Sequence, residues 1–214
     1  GKHMDNKNFK INNKLAFFDF DRTLIVHDYS PEYIKNRENY FMECLCALTS
    51  LDEEHKNDKP LPCMQWYMRK LFEEGYGIFC LTHEIFNLRD QLKQEQLAKF
   101  YPGIPVTYLT VDSPDHKIDM MMAIAAAEQC RHSDVLFIDD RVTIVNKAIN
   151  AGIDGKHLSD IVLLYENREV AEEEPHRIIK PKGFPEALGL SGTDIEKTYE
   201  ECIQMIENGM GMEE

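Results

Sequence analysis

The chain has no apolar run long enough for a membrane helix. Crossing a bilayer takes about 20 apolar residues, and the apolar runs here, such as Leu15–Phe18, Val135–Ile138 and Ile161–Leu164, fall far short of that. A membrane span is therefore excluded. Cysteines are few, six in all, and none forms a CxxC pair or a cysteine/histidine comb at zinc spacing. Cys80 and Cys130 lie inside apolar periodic segments, so the thiols read as reduced and buried, as expected of a cytoplasmic chain. Positive charge is also scarce: 24 Lys and Arg stand against 38 Asp and Glu, a formal net charge of −14. A surface of that sign repels nucleic-acid backbones and anionic lipid head groups, so no nucleic-acid polymer is expected as a partner. A phosphate-bearing ligand would have to be captured locally, by a metal ion, a few placed cations or helix amino termini. Internal repeats, low-complexity blocks and an apolar signal-peptide stretch are all missing, and Gly1-Lys2-His3-Met4 reads as a tag remnant ahead of a natural start at Met4.

What is present is an ordinary folding composition. The 214 residues are 43% hydrophobic and 29% charged, enough for one domain with a sizeable core and at most a small attachment. Strand-like and helix-like segments alternate. Lys14–Phe20 reads as a buried strand, Pro31–Ser50 as a helix and Leu51–Leu61 as a loop. Cys63–Glu74 reads as a helix stopped by Gly75 and Gly77, and Ile78–Leu81 as a second strand. Then come a helix over Ile85–Phe100 with Ile85, Leu88, Leu92, Leu97 and Phe100 inward, a strand over Val106–Val111 and a helix over Asp115–Gln129. Val135–Ile138 follows as a strand, Thr143–Ala151 as a helix and Ile161–Tyr165 as a last strand. Strands separated by helices in this order imply an α/β fold, a three-layer Rossmann-like sandwich around a parallel sheet. Thr193–Glu207 reads as a final amphipathic helix.

In an open parallel sheet, ligands bind beyond the carboxyl ends of the strands. The first strand ends in Asp19-Phe20-Asp21-Arg22-Thr23, the second in Thr82-His83 and the fourth in Asp139-Asp140. The helix after the third opens with His116-Lys117. Two acid pairs, a hydroxyl and a lysine thus gather on one edge directly after apolar strands, where unpaired charge is costly to bury. Clustered carboxylate oxygens without a histidine or thiolate comb suit a shared hard, octahedral cation, Mg²⁺.

Asp19–Thr23 matches the DxDxT signature of the haloacid dehalogenase superfamily, and the chain resembles that superfamily from about Leu15 to Gly152. Thr82, Lys117 and Asp139-Asp140 follow in the family's order. The resemblance implies a phosphatase-type, Mg²⁺-dependent phosphomonoester hydrolase. Asp19 resembles the nucleophile that forms an aspartyl-phosphate. Asp21 resembles the general acid that protonates the leaving oxygen and then activates water. Thr82 and Lys117 resemble the groups that hold the phosphoryl oxygens. Asp140 resembles a metal ligand, together with Asp19 and the backbone carbonyl of Asp21, while Asp139 is either a further ligand or an acid that orients bound water. Family dehalogenases lack the second acid, so Asp21 points to phosphate chemistry. One departure stands out. Many relatives carry Asp or Asn four residues after the metal-binding acid, where this chain has Ile144, with Asn146 two residues further on.

Each residue also has a plainer reading. A DxD pair after a strand is often a solvated turn, Thr82 a helix cap and Lys117 a surface residue. His83 caps a helix, packs, or touches substrate. His27 lies just past the signature, where relatives carry a mobile flap, and is a candidate substrate contact. Thirty-five positions separate Thr82 from Lys117, too few for a cap insertion there. The core is therefore expected at 5–28 and 62–165, with 29–61 either a small helical cap or a core helix plus loop, and 166–214 a loop and helix packing on the core. An open site of this kind suits a small phosphorylated metabolite or nucleotide. A phosphoprotein, under a phosphotyrosine-type activity, and a binding or regulatory module without turnover are the alternatives.

Overall fold

The computed structural model describes residues 14–26, 55–84 and 86–169. The sequence-based helices at Pro31–Ser50 and Thr193–Glu207, residue His27, and most of 29–61 and 166–214 lie outside these residues. Among the described residues the elements run β1 (Leu15–Phe18), β2 (Ile25–Val26), β3 (Lys59–Pro60), α1 (Pro62–Glu73), β4 (Gly77–His83), α2 (Asp90–Phe100), β5 (Val106–Val111) and α3 (His116–Ala127). A 3₁₀ turn at His132–Asp134 leads into β6 (Val135–Asp139), α4 (Val142–Asn150), β7 (Asp154–His157) and α5 (Leu158–Glu166).

Five strands form one parallel sheet in the order β5-β4-β1-β6-β7. The chain builds outward from β1 through β4 to β5, then crosses back through α3 to β6 and β7. The strand order therefore reverses beside β1, the place where such sheets leave a crevice at their carboxyl edge. β1 is the centre strand and all four of its residues are buried, because helices cover both faces. Successive side chains point to opposite faces. Ala16 and Phe18 join a cluster with Met64, Tyr67 and Met68 of α1 and Ile161 and Val162 of α5. Leu15 and Phe17 join the other, with Met121 and Ala125 of α3 and Ile144 and Ala148 of α4. This is the expected α/β Rossmann-like sandwich.

The last strand is a correction. The apolar run Ile161–Tyr165, read as a strand, lies within helix α5. A capping box decides it: His157 Nδ1 accepts from Ser159 N, and the Asp160 carboxylate accepts from His157 N. The true edge strand is the polar Asp154-Gly155-Lys156-His157, which carries no apolar alternation to mark it. A second correction concerns α2. It starts at Asp90, after a turn in which Phe86 and Asn87 both have positive φ. Of the residues expected inward, Leu97 is buried and Phe100 packs partly buried on the core, Leu88 and Leu92 are half-buried, and Ile85 lies outside the described residues; the buried face also carries the polar Lys93 and Gln96. The two short strands β2 and β3 pair antiparallel; β3 lies inside the segment read as a loop, and Ile25–Val26 falls in no element read from the sequence.

Burial keeps the described thiols inert: Cys63, Cys80 and Cys130 are buried, and desolvation pushes the Cys63 thiol up to about 12. The thiolate is the reactive form, so at pH 8 both Cys63 and Cys80 should resist iodoacetamide in the native protein and react once it is unfolded, as read by peptide mass mapping. Native labelling of either residue would contradict their burial. The edge strand gives a packing test. A Cβ on Gly155 would lie 2.9 Å from the Val145 carbonyl and 3.0 Å from Ile149 Cγ1, because α4 rests directly on β7. Gly155→Ala should therefore cost about 1–3 kcal/mol as overpacking, seen as a lower denaturant midpoint at unchanged slope. A midpoint at or above wild type would refute that close approach.

Candidate active site

The site grows from the end of β1. Asp19 N donates to Ile138 O at 2.9 Å, which carries the β1–β6 pairing one residue past the strand. The chain then folds tightly on Phe20, whose carbonyl accepts from the backbone N–H of Thr23, Leu24 and Ile25. Arg22 takes a positive φ of 60° to make the turn, a conformation uncommon for a side chain with a Cβ. The turn returns Thr23 to Asp19, and Thr23 Oγ1 donates to Asp19 Oδ2 at 3.0 Å. The four-residue spacing of the signature thus has a local physical use: it caps one oxygen of Asp19.

Lys117 serves the other oxygen. It sits in the first turn of α3 with Met121 and Ala125 below it on the same buried face. Its Nζ donates to Asp19 Oδ1 at 2.8 Å and to Asp139 Oδ2 at 3.1 Å. Asp139 Oδ1 also accepts from Arg141 N at 2.9 Å. Asp140, next along, is fixed through its backbone: His157 Nδ1 takes the Ser159 N–H, so Nε2 carries the ring proton and donates to the Asp140 carbonyl at 2.7 Å. Asp19, Asp139 and Asp140 are all buried, and one oxygen of each lies within 4.8 Å of the others. Three carboxylates converging at that spacing could coordinate a divalent cation, and an all-oxygen donor set suits Mg²⁺.

Asp21 faces elsewhere. Arg89 grips it with both arms, Nη2 to Oδ1 at 2.6 Å and Nη1 to Oδ2 at 3.2 Å. Lys93 Nζ lies 3.2 Å from the same Oδ2, 2.7 Å from Glu84 Oε2 and 2.8 Å from Thr82 Oγ1. Thr82 Oγ1 in turn points to the His83 carbonyl, at a long 3.4 Å. In this network the carboxylates of Asp19, Asp21, Glu84, Asp139 and Asp140 face three cations, Lys93, Lys117 and Arg89.

The structure therefore brings Asp19, Asp139, Asp140 and Lys117 into direct contact or close approach, and joins Thr82 to Asp21 through Lys93. His83 is half-buried at the end of β4 and enters the network through its carbonyl. His116 stays exposed and pairs with Asp112 at 2.6 Å, a bond that lowers the Asp112 carboxyl from its usual range. Ile144 is buried in the apolar cluster of α3 and α4, and Asn146 is exposed on the outer side of α4.

Sequence reasoning missed four contributors. Thr23 stood inside the signature without a role, and His157 fell between two assigned elements. Arg89 and Lys93 have no role in the helix read over Ile85–Phe100. The signal for the last two is their spacing: Arg89, Lys93, Gln96 and Leu97 recur at helical intervals on one face.

No family model matches the chain, and no curated protein does. Among solved structures it is similar to a "putative phosphoglycolate phosphatase" from Lactobacillus delbrueckii subsp. bulgaricus ATCC BAA-365, at 16% identity over 67% of this chain and 84% of that one, with a TM-score of 0.44. It is also similar to a phosphoserine phosphatase captured as a phospho-aspartyl intermediate analogue, at 15% identity over 70% of this chain and 97% of that one, again with a TM-score of 0.44.

The three-carboxylate cluster is open to direct measurement. A ligand that binds only the folded state stabilises it by about 2.7 kcal/mol at a hundredfold excess over Kd. Mg²⁺ should accordingly raise the thermal midpoint of the EDTA-treated protein by several degrees, and Asp140→Asn should abolish the rise. An equal rise in the variant would place the ion elsewhere.

Proposed function

We propose that the chain is a metal-dependent phosphomonoester hydrolase of the haloacid dehalogenase type, working through an aspartyl-phosphate on Asp19. One observation carries this reading. Asp19 is held by Thr23 on one oxygen and by Lys117 on the other, beside two further buried carboxylates, with a second acid two residues on. Burial together with this much fixed hydrogen bonding is what a pre-oriented nucleophile needs.

In the proposed reaction a carboxylate oxygen of Asp19 attacks phosphorus, and the bond from phosphorus to the ester oxygen breaks. Asp21 gives that oxygen a proton. In the second half Asp21 takes a proton from water, the water oxygen attacks the phosphorus of the aspartyl-phosphate, and inorganic phosphate leaves with Asp19 restored. Thr82 and Lys117 hold the phosphoryl oxygens throughout. A divalent cation held by Asp19, Asp139 and Asp140 would offset the repulsion between nucleophile and phosphate. Both oxygens of Asp21 are engaged here, so proton carriage requires Arg89 to release one of them as substrate enters.

The substrate class follows from access. The pairing of β2 with β3 sets Val26 and Lys59 side by side, next to the Asp19–Thr23 turn. That supports reading 29–61 as holding a small helical cap, which suits a small phosphorylated metabolite or nucleotide. His27 and His83 are candidate substrate contacts. A second reading, a phosphate-binding module without turnover, is favoured by the two-armed grip of Arg89 on Asp21.

The protein should hydrolyse p-nitrophenyl phosphate with Mg²⁺, and EDTA should stop it. Asp19→Asn should lower kcat by at least ~10³-fold, since it deletes the nucleophile, while circular dichroism stays that of wild type. Turnover near wild type in that variant would defeat the assignment of Asp19. Vanadate binding by a wild-type protein that turns over no ester would select the binding-module reading.

A further inference from the structure

Lys93 is fully buried although its helix neighbours Gln91, Gln94 and Glu95 are exposed. Such a side chain rarely leaves water unless every donor is used. Here the ammonium has three close partners, one for each N–H: Thr82 Oγ1 at 2.8 Å, Glu84 Oε2 at 2.7 Å and Asp21 Oδ2 at 3.2 Å. The Phe20 ring lies beneath it, 5.2 Å from Nζ to the ring centre. An ammonium has no lone pair, so its bond to Thr82 can run one way only, with Lys93 donating. The hydroxyl of Thr82 is thereby committed as an acceptor on one side, and its own proton must point elsewhere. The acceptor it has is the His83 carbonyl at 3.4 Å, a long bond and a weak one.

We propose that Lys93 is a positioning residue of the phosphoryl site. It aligns Thr82 so that the hydroxyl proton is free to donate to a phosphoryl oxygen, and it holds that alignment in register with Asp21. The inference rests on the phosphomonoesterase or phosphate-binding reading given above. Lys93 and Glu84 form an ion pair of their own, so the alignment adds little net charge at the phosphate. Its contribution is directional: without Lys93, the Thr82 hydroxyl can rotate and present a lone pair to the phosphate instead of a proton. Lys117, which reaches Asp19 and Asp139, works on the opposite side of the site and cannot substitute for it.

The test is a double-mutant cycle read by vanadate binding in Mg²⁺, using the full chain, with Lys93→Met, Thr82→Val and the double variant. Thr82→Val should weaken vanadate about tenfold or more, and Lys93→Met should weaken it comparably. The double variant should be no more than about twofold weaker than Thr82→Val alone, because Lys93 acts through the hydroxyl. The Mg²⁺-induced rise in thermal midpoint should survive in Lys93→Met, since the ion's carboxylates are untouched. If Lys93→Met does not fold, Glu84→Gln/Lys93→Met, which removes both members of the ion pair, takes its place under the same expectations. Unchanged vanadate affinity on loss of Lys93, or losses that multiply in the double variant, would overturn the role of Lys93 and leave the phosphate site standing. Absence of vanadate binding in the wild type would bring down both.

Discussion

Asp19, Asp21, Asp139 and Asp140 come off the ends of fully apolar strands and stay buried. Carboxylates taken out of water need compensation, and removing one partner of a buried pair typically costs about 3–5 kcal/mol. The rest of the site is arranged around that demand. Lys117 bridges Asp19 and Asp139, the acids at the ends of the two neighbouring strands β1 and β6. The bridge depends on where the helices lie: α3 crosses from the β5 edge back to the centre of the sheet, so its first turn arrives where the strand order reverses. The same reversal that makes the crevice supplies the cation that makes its charges tolerable.

Helix α2 extends this logic to the other half of the site. Its inner face is polar where a packing helix would be apolar. Arg89 and Lys93 hold Asp21, Gln96 donates to Asp58 at 3.0 Å, and only then does Leu97 enter the core. Just past its end, Tyr101 donates to the Leu24 carbonyl at 2.5 Å. One helix thus grips the Asp19–Thr23 turn, the start of β2 and the segment before β3.

Within the site the two acids of the signature occupy unlike surroundings. Asp19 is held by a hydroxyl and by an ammonium shared with Asp139, in the group suited to a divalent ion. Asp21 is held by a guanidinium fork and a second ammonium, away from that group. Division of labour between neighbouring carboxylates rests on such differences in partner. Two residues apart, Asp19 and Asp21 would share one face of a continuing strand; the tight turn at Phe20 instead turns Asp21 toward α2 while Asp19 stays with α3.

How much was legible in advance can be judged element by element. Val106–Val111 and Val135–Ile138 announced themselves by apolar runs. The spacing of Asp19, Asp21 and Thr23 needed no tertiary information, because the contact between Thr23 and Asp19 is made within one turn. Placing Thr82, Lys117 and Asp139-Asp140 on the same edge required only the rule that parallel strands present their carboxyl ends together. Two things could not be read this way. The edge strand Asp154–His157 is polar, and a neighbouring apolar run mimics a strand until the His157–Asp160 cap turns it into a helix. Arg89 and Lys93 share a helical face with Gln96 and Leu97, but spacing alone does not say that the charges on that face are buried. Local pattern determined which groups exist and which strand end carries them. Only the packing of α2 against the opening turn decided which charges are buried together, because burial of a lysine depends on partners far away along the chain.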